Sequence, residues 1–471
     1  MPLLIRPLFG SKQVLLRSTP KPVTPFGGLV SFLEFLQRLA LPQQLAATMP
    51  FQLRSPNAIP PAHTLTAFML AVIAGARRFA HTDWLRADKA LHALLGIRRF
   101  PGTDTIRNFF RRFSQSSVES FWRPLFRWVL EKFSCPALGF SLDLDSTIFQ
   151  RAGRQQGAAK GYNPRRPGRR SHHPLLAVLA EAPCVLHGWL RSGNTSSARG
   201  VVAFLREAFA LLPRDWRLRT VRADSGFFDE ELLEFLEERA LAYVIVARLT
   251  RRIKQRAAAL HEWTLLNEHY AVGEFRAQLL GWKRERRFVV VRERVREEKE
   301  AVGRKLLEVP GYRFRIFVTN RAEEPLALWR DYNSRATVEQ RIEELKNDLA
   351  ADDFCMQPFY ATESAFLAVL LSFNLLSTLP ATDRARGEVS AAGDAEGGSV
   401  SARGGAGRQR APCRAAFVGS VGRTGQTQPV TGIRDAVGKS NVAEVGLSTI
   451  TLTTRQTQIM DTQPLQLRFS G

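Results

Sequence analysis

The feature that most constrains the fold of this chain is an alternation of short apolar strands and amphipathic helices between residues 140 and 247. Residues 175–190 read as two apolar strands, and residues 198–212 as an amphipathic helix. A further helix is predicted over residues 230–239 and a further strand over residues 243–247. Strands in succession, followed by alternating strand and helix, predict a mixed sheet flanked by helices.

Two of the predicted strands carry acid at their ends. Residues 140–147 alternate apolar and polar side chains, which places Asp143 and Asp145 on one face of a strand. Residues 220–228 read as a short strand that ends at Asp224, with Ser-Gly forming the turn. An aspartate in such a place is more often a turn former or a helix N-cap than a ligand, so both interpretations stay open.

A third acidic position lies in a mixed-charge stretch further along the chain. At 3.6 residues per turn, Tyr332, Arg335, Glu339 and Lys346 fall on one face of a single predicted helix, with Glu343 close by. A carboxylate surrounded by cationic side chains is a suitable ligand for a metal ion that also contacts a phosphate group. The alternative is an exposed helix carrying i,i+4 salt bridges.

Taken together, these motifs resemble those of a known family. They are Asp145-Ser-Thr, Ala-Asp224-Ser-Gly-Phe and Tyr332-x2-Arg335-x3-Glu339-x6-Lys346. The combination resembles the DDE transposases of bacterial insertion sequences, in the cut-and-paste group with a Tyr-Arg-Glu-Lys signature. Residues 157–174 and 187–194 are similar to the insertion-sequence family numbered thirteen-eighty. The resemblance covers roughly residues 25 to 380.

The resemblance implies a fold and a chemistry. It implies a ribonuclease-H-like mixed-sheet core in which Asp145, Asp224 and Glu339 are catalytic and hold two Mg²⁺ or Mn²⁺ ions, with Asp143 as the alternative to Asp145. Carboxylates suit such ions because Mg²⁺ prefers hard oxygen ligands. The expected activity is metal-dependent strand cleavage and strand transfer of an insertion element.

The resemblance also implies partners for the remaining signature residues. Tyr332, Arg335 and Lys346 would hold phosphates of double-stranded DNA, both of the terminal inverted repeats and of the target, and we expect a homodimer on DNA. Two alternatives remain: a catalytically silent DNA-binding remnant and a structure-selective nuclease.

The charge of the chain is consistent with DNA as the partner. Lys and Arg number 67 against 44 Asp and Glu, a net charge of +23, which predicts binding to a polyanion. Ribosomal or membrane-surface binding would give the same signal. The four cysteines are scattered without a CxxC pair, which predicts reduced thiols in the cytoplasm and no zinc site.

The first 133 residues predict an all-helical DNA-binding domain, with apolar stripes at helical spacing from residue 27 onward. A helix is predicted to begin with Thr103 or Asp104 as its N-cap, and its flank carries Arg107, Arg111 and Arg112. This pattern fits helix-turn-helix recognition of DNA and fits a helical scaffold equally well. The longest apolar runs, residues 65–76 and 365–379, are shorter than a bilayer span, so we expect no membrane contact.

The second predicted domain, residues 134–380, contains two basic segments. Residues 151–170 predict a flexible loop that holds a DNA backbone; the basic residues proposed for this role are Lys160, Arg165, Arg166 and Arg169. His172 and His173 are adjacent on an extended chain and point opposite ways, so we do not expect them to chelate a metal together. Residues 248–312 alternate apolar and basic side chains and predict a β-rich insertion with a charged linker at 294–304.

Trp282 lies at a predicted hairpin tip of that insertion. It could stack on a base flipped at the element end, or it could pack within a small β domain. Residues 381–471 are rich in Gly, Ala, Ser, Arg and Thr and match no part of the family pattern, so we predict a disordered or atypical tail.

Overall fold

The computed structural model describes the side chains of residues 24–164, 166–294 and 311–379. Beyond these it describes the backbone of four short strands and of the last helix as far as Ala391. Two compact units make up the chain: the first contains residues 1–117, 347–354 and 379–471, and the second contains residues 118–346 and 355–378. The functional division at residues 133 and 380 stays a prediction, and most of the predicted tail lies outside the described residues.

The elements are numbered in chain order. The helices are α1 (Leu29–Arg38), α2 (Leu41–Thr48), α3 (Pro61–Ile73), α4 (Asp83–Arg86), α5 (Lys89–Leu95), α6 (Thr103–Phe110), α7 (Gln115–Leu130), α8 (Val201–Leu211), α9 (Glu230–Glu237), α10 (Arg251–Ala258), α11 (Pro325–Asn333), α12 (Ala336–Glu343) and α13 (Phe359–Ala391). The strands are β1 (Leu3–Ile5), β2 (Gln13–Arg17), β3 (Phe140–Ser146), β4 (Phe149–Gln150), β5 (Ala159–Lys160), β6 (Arg170–His172), β7 (Leu175–Leu179), β8 (Cys184–Trp189), β9 (Leu218–Ala223), β10 (Tyr243–Val246), β11 (Thr264–Leu265), β12 (Tyr270–Ala277), β13 (Arg286–Arg294), β14 (Tyr312–Thr319), β15 (Thr451–Arg455) and β16 (Leu465–Leu467).

The first unit is built around aromatic side chains of its helices. The ring of Phe68, on α3, lies 5.8 Å from that of Phe79, 4.9 Å from that of Phe110 and 4.9 Å from that of Phe354. Contacts of this kind are expected where the apolar stripes of amphipathic helices meet. Two strands, β1 and β2, precede the helices, so the description of the N-terminal segment as all-helical is not confirmed.

The second unit contains a nine-stranded sheet in the order β11-β12-β13-β14-β10-β9-β3-β7-β8. Strands β3, β9 and β10 are parallel to one another, while β7, β8 and β11 to β14 pair antiparallel to their neighbours. The predicted mixed sheet flanked by helices is therefore confirmed. Residues 248–312 are β-rich as predicted, but their long strands extend this same sheet through β14 and do not form a sheet of their own.

Helix α13 packs against the β8 end of the sheet. The side-chain amide of Asn374 donates to Val185 O at 2.8 Å and accepts from Val185 N–H at 2.8 Å. Within the described chain, residues 359–379 of this helix are long and apolar enough to cross a membrane, which corrects the expectation of too short a run. Most of their side chains are buried inside the unit, as in the core helix of a globular domain.

Candidate active site

Asp145 and Asp224 lie at the same edge of the sheet, at the carboxyl ends of neighbouring strands. Strands β3 and β9 are parallel, and Leu144 is the partner of Ala223 in their register, so the two aspartates follow side by side. Their carboxylates hold the local backbone, because Asp145 accepts the Ser146 N–H at 2.8 Å and Asp224 accepts the N–H two residues on at 2.9 Å. Asp224 therefore forms the turn, and its role as a metal ligand stays a prediction.

Asp143 has a different environment from Asp145. It is fully buried and receives two hydrogen bonds of 2.7 Å from the guanidinium of Arg222, which is itself buried. Burial raises the pKa of Asp143, and the bonds from Arg222 oppose that shift. A carboxylate paired in this way holds β3 to β9, which favours Asp145 over Asp143 as the functional residue.

Residues 332–346 do not form the single helix that the sequence predicts. Helix α11 ends at Asn333, α12 begins at Ala336, and a π-helical turn over Glu344–Asp348 follows. The four signature side chains therefore do not share one helix face, and this prediction is wrong.

The reason lies in how the junction is bonded. The N–H of Arg335 donates to Tyr332 O at 2.9 Å, the tighter spacing of a 3₁₀ turn. The carbonyl of Asp331, which Arg335 would use in a regular α-helix, instead accepts bonds from the hydroxyl of Ser334 and from the guanidinium of Arg222. A buried side chain from the sheet thus competes for the helical carbonyl, a contact that periodicity does not report.

Arg335 lies directly against the end of β3. Its Nη2 donates to Leu144 O at 2.8 Å and lies 3.4 Å from Asp145 Oδ2. Its Nε is buried and has no hydrogen-bond partner among the described residues. Although burial alone would lower it, the pKa of Arg335 is raised, with Asp145 as the main cause. The guanidinium therefore positions and partly neutralises Asp145.

The other signature residues lie in three different environments. Tyr332 is buried, with its ring 4.8 Å from that of Phe317. Glu339 is exposed in the first turn of α12. Lys346 donates from Nζ to Thr147 Oγ1 at 3.4 Å, so it lies beside the residues that follow β3. The structure thus brings Arg335 and Lys346 to β3 and buries Tyr332 in the core.

The three predicted carboxylates interact electrostatically. The pKa of Asp145 is raised to about 6: burial is the main cause, Asp224 and Glu339 add to it, and Arg335 and the bond from Ser146 N–H oppose it. Like charges so arranged leave an excess of negative potential that a cation relieves. Among the described residues, no three His, Cys, Asp or Glu side chains already form a metal-binding group. The carboxylate donors fit a hard divalent ion, although the described residues do not form a ready-made cluster.

A loop that the sequence reasoning missed completes the neighbourhood of Asp145. Ser197 Oγ lies 2.8 Å from Ser146 Oγ. The buried Arg191 holds this loop, because its Nη1 donates to the carbonyls of Ser196, Ser197 and Arg199 at 3.0–3.2 Å. An arginine followed by small polar residues is a weak signal in the sequence, since its carbonyl partners depend on the loop's conformation.

The predicted flexible basic loop is partly ordered. Strand β5 within it pairs with β6 at its end, and β6 pairs with β4 just before it, so the three form a small antiparallel sheet. Lys160, Arg166 and Arg169 are exposed, as a backbone-binding role requires, and Arg165 lies outside the described residues. The predicted charged linker at 294–304 also lies almost wholly outside them.

The two adjacent histidines bond to different partners. His172 accepts from Arg151 Nε at 3.0 Å and its Nε2 lies 2.9 Å from Gln156 O, while His173 Nδ1 lies 2.6 Å from Thr195 O. Burial lowers the pKa of His172 to about 4, so the ring is neutral and Nε2 carries its proton. Each ring is thus held by its own backbone carbonyl, and the expectation that the two do not chelate a metal together stays a prediction.

Trp282 lies in the connection between β12 and β13. Its ring centroid is 5.2 Å from that of Phe228 and 6.2 Å from that of Phe288, and the guanidinium of Arg286 lies 4.9 Å from it. These contacts agree with the packed alternative. Its role in stacking on a base stays a prediction.

Comparison with known proteins identifies a family and similar solved structures. No curated protein matches the chain. A solved structure, the cryo-EM piggyBac transposase synaptic complex with hairpin DNA, is similar with a TM-score of 0.43 and 11% identity, over 79% of this chain and 78% of that chain. A family model described as transposase DDE domain group 1 matches residues 6–393. Because this match spans most of the chain, the protein belongs to the family of DDE-domain transposases of group 1.

Proposed function

We propose that this protein is a cut-and-paste DNA transposase that cleaves and joins DNA strands with Asp145, Asp224 and Glu339 as its catalytic carboxylates. The observation that carries the proposal is the placement of Asp145 and Asp224 at adjacent ends of parallel strands, with Glu339 near enough to raise the pKa of Asp145. We also infer that β3, β7, β8, β9 and β10 form the ribonuclease-H-like core. Membership in the DDE-domain family supports both inferences.

The same carboxylates would hold two divalent ions, Mg²⁺ or Mn²⁺. When bound, such ions would activate the attacking hydroxyl and stabilise the departing oxygen of a phosphodiester. Arg335 keeps Asp145 at the edge of the sheet through its contacts with Leu144 and the carboxylate. Lys346 lies beside Thr147, where its ammonium can meet a phosphate oxygen.

The partner that we propose is double-stranded DNA, as terminal inverted repeats and as target, bound by a homodimer in the cytoplasm. The net charge of +23 supports a polyanionic partner. Exposed Lys160, Arg166 and Arg169 on the small sheet and its loop are the proposed backbone contacts, with Arg165 as their neighbour in the sequence. The finer assignment to the insertion-sequence family numbered thirteen-eighty rests on the sequence motifs.

The test is strand cleavage and transfer of end-sequence DNA with Mg²⁺, measured for single variants. We expect Asp145→Ala, Asp224→Ala and Glu339→Ala to abolish both reactions and leave end binding largely intact, because affinity comes mainly from cation–phosphate contacts. Glu343→Gln, an exposed carboxylate on the same helix as Glu339, is the matched control and should retain activity.

Three results would overturn the proposal, each in favour of a different alternative. Full activity of Asp145→Ala beside a folded but inactive Asp143→Ala would show that Asp143 is the ligand. Metal-independent binding of end DNA with no cleavage by the unaltered protein would favour the silent remnant. Cleavage without strand transfer would favour a structure-selective nuclease.

A further inference from the structure

A cavity in the first unit combines charge and shape in a way that the proposed active site does not explain. It has a volume of about 400 Å³ and opens beside the first turn of α6. Four cationic side chains, Arg86, Lys89, Arg98 and Arg99, line it, against the two carboxylates of Asp83 and Asp104. The cavity wall therefore carries an excess of positive charge.

These cations are not neutralised by neighbouring carboxylates. In the part of the chain that the structure describes, none of the four has an Asp or Glu oxygen within 4.0 Å. Arg99 donates to Asn57 O at 3.3 Å, a neutral partner, and the carboxylate of Asp83 accepts from the Thr103 hydroxyl at 3.1 Å. Unpaired cations around one concave surface favour an anion there.

The start of α6 adds backbone donors to the same surface. Gly102 precedes the helix and supplies no capping side chain, so the first N–H groups are left to other partners. A Cβ atom built on Gly102 would lie 3.1 Å from Arg86 Nη1 and 3.8 Å from Asp83 Oδ1, which places both groups beside the helix N-terminus. An anion between the Arg86 guanidinium and the first N–H groups of α6 would be stabilised by the guanidinium and by the helix dipole.

The side chain of His92 supplies a second and independent indication of a ligand. It lines the cavity, is 9% exposed and stacks on Phe100 with ring centroids 5.4 Å apart. Its Nε2 is buried and has no hydrogen-bond partner among the described residues. A buried polar atom without a partner destabilises the fold, so an oxygen acceptor at this wall would stabilise it.

We propose that this cavity binds a phosphate group, and that in the working protein the phosphate belongs to the DNA backbone. Arg86 and Arg98 can donate two parallel bonds to phosphate oxygens, the N–H groups of α6 can donate beside them, and His92 Nε2–H can complete the set. The DNA source rests on the proposed function, whereas the affinity for phosphate rests on the cavity alone.

Lys89 provides a direct test, because it is the lysine of this cavity wall. The full chain is treated with an amine-acylating reagent alone, with inorganic phosphate and with duplex DNA, and acylation of Lys89 and of the exposed Lys132 is followed by mass spectrometry. We expect DNA to slow acylation of Lys89 more than that of Lys132, also in the Asp145→Asn variant. Protection by inorganic phosphate but not by DNA would support the cavity and overturn the DNA source. Equal rates under all conditions would overturn the phosphate site.

Matched variants separate this cavity from general basic charge. Arg86→Gln and Arg98→Gln should each reduce the slope of log affinity against log salt for duplex DNA by about 0.9, the value for one phosphate contact. Arg54→Gln is the control, because Arg54 is an exposed arginine of the same unit outside the cavity wall. Equal changes of the slope in all three variants, or no change in any, would contradict a specific phosphate site in the cavity.

His92→Phe distinguishes a ligand contact from a packing role. It keeps an aromatic ring against Phe100 and removes the unpartnered nitrogen, so thermal stability without DNA should be retained or increased. Protection of Lys89 by DNA should weaken in this variant. Unchanged protection with increased stability would show that Nε2 takes no part in binding and would contradict the proposal. Failure of cleavage in the unaltered protein, with Lys89 still protected, would count against the transposase function and leave the cavity standing.

Discussion

At the scale of single residues, two aspartates two positions apart on β3 have opposite roles in the electrostatics of the site. Asp143 is buried against Arg222 with two bonds of 2.7 Å, whereas the carboxylate of Asp145 is 16% exposed and shares Arg335 with a backbone carbonyl. The charge of Asp143 is thus compensated by Arg222 inside the fold. The ionisation of Asp145 is opposed by burial and by its acidic neighbours.

Asp145→Asn should stabilise the protein at neutral pH. The pKa of Asp145 is about 6 in the folded protein and 3.8 as its ordinary value. Between pH 3.8 and pH 6 the carboxyl is therefore protonated in the folded protein and ionised in the unfolded chain. The free energy of unfolding therefore falls as pH rises from about 4 to about 6, by up to about 3 kcal/mol. Asn does not ionise and so avoids this loss. In urea unfolding, the variant should have a higher free energy of unfolding than the unaltered protein at pH 7–8, and the difference should disappear near pH 4. A constant difference between the two proteins at every pH would contradict this view of Asp145.

Asp143→Asn should have the opposite effect on stability. It removes the nearer of the two carboxylates that face the buried guanidinium of Arg222 and leaves only Asp331 Oδ1, at 3.5 Å, which costs about 3–5 kcal/mol. Combining Asp143→Leu with Arg222→Met removes both charges and should recover part of the loss. The measurement is urea unfolding at pH 7. A stable Asp143→Asn protein that has lost only metal-dependent activity would instead assign Asp143 to the metal.

At the scale of elements, the site depends on strands and helices that are held by side-chain bonds to backbone. The guanidinium of Arg222, on β9, donates to the carbonyl oxygen of Asp331, in α11, and so helps to end that helix before α12. The amide of Asn374 in α13 bonds both backbone groups of Val185 in the outermost strand, β8. Such contacts satisfy backbone groups where neither a helix nor a sheet partner can.

Asn374→Ala should destabilise the second unit. It leaves the buried N–H and C=O of Val185 without partners, at a cost of about 2–4 kcal/mol. Ser372→Ala is the matched control, since this buried hydroxyl on the same helix donates only to its own helix at Ala368 O. The control should cost less than about 1 kcal/mol. Comparable losses in urea unfolding for both variants would show that the contact with β8 contributes little.

At the scale of the whole molecule, the net charge of +23 makes binding to DNA strongly salt-dependent. The structure divides the cations into those that face solvent and those that serve the fold. Lys160 and Arg169 are exposed, whereas Arg191, Arg222 and Arg335 are buried on carbonyls and carboxylates. Only the exposed group is free to replace the counterions of DNA.

The salt dependence of binding should therefore respond to Lys160→Gln and Arg169→Gln but not to Arg335→Gln. Each of the first two should lower the slope of log affinity against log salt by about 0.9. Arg335→Gln should leave the slope unchanged and shift the pH profile of cleavage upward, because Arg335 lowers the pKa of Asp145. Fluorescence anisotropy of labelled end DNA at several salt concentrations measures the slope. A reduced slope for Arg335→Gln would return this residue to the phosphate-binding role that the sequence motif implies.

The sequence by itself determined the strands that carry Asp145 and Asp224 and the order of strands and helices between residues 175 and 247, but not the small strands β4 to β6. It could do so because side-chain alternation and turn residues are local signals. Only the tertiary structure decided that Asp143 pairs with Arg222, that the signature stretch is broken at Arg335, and that residues 248–312 extend the main sheet. Each of these depends on a partner far away in the chain, and the free energy of satisfying a buried charge or backbone group outweighs the local helical preference.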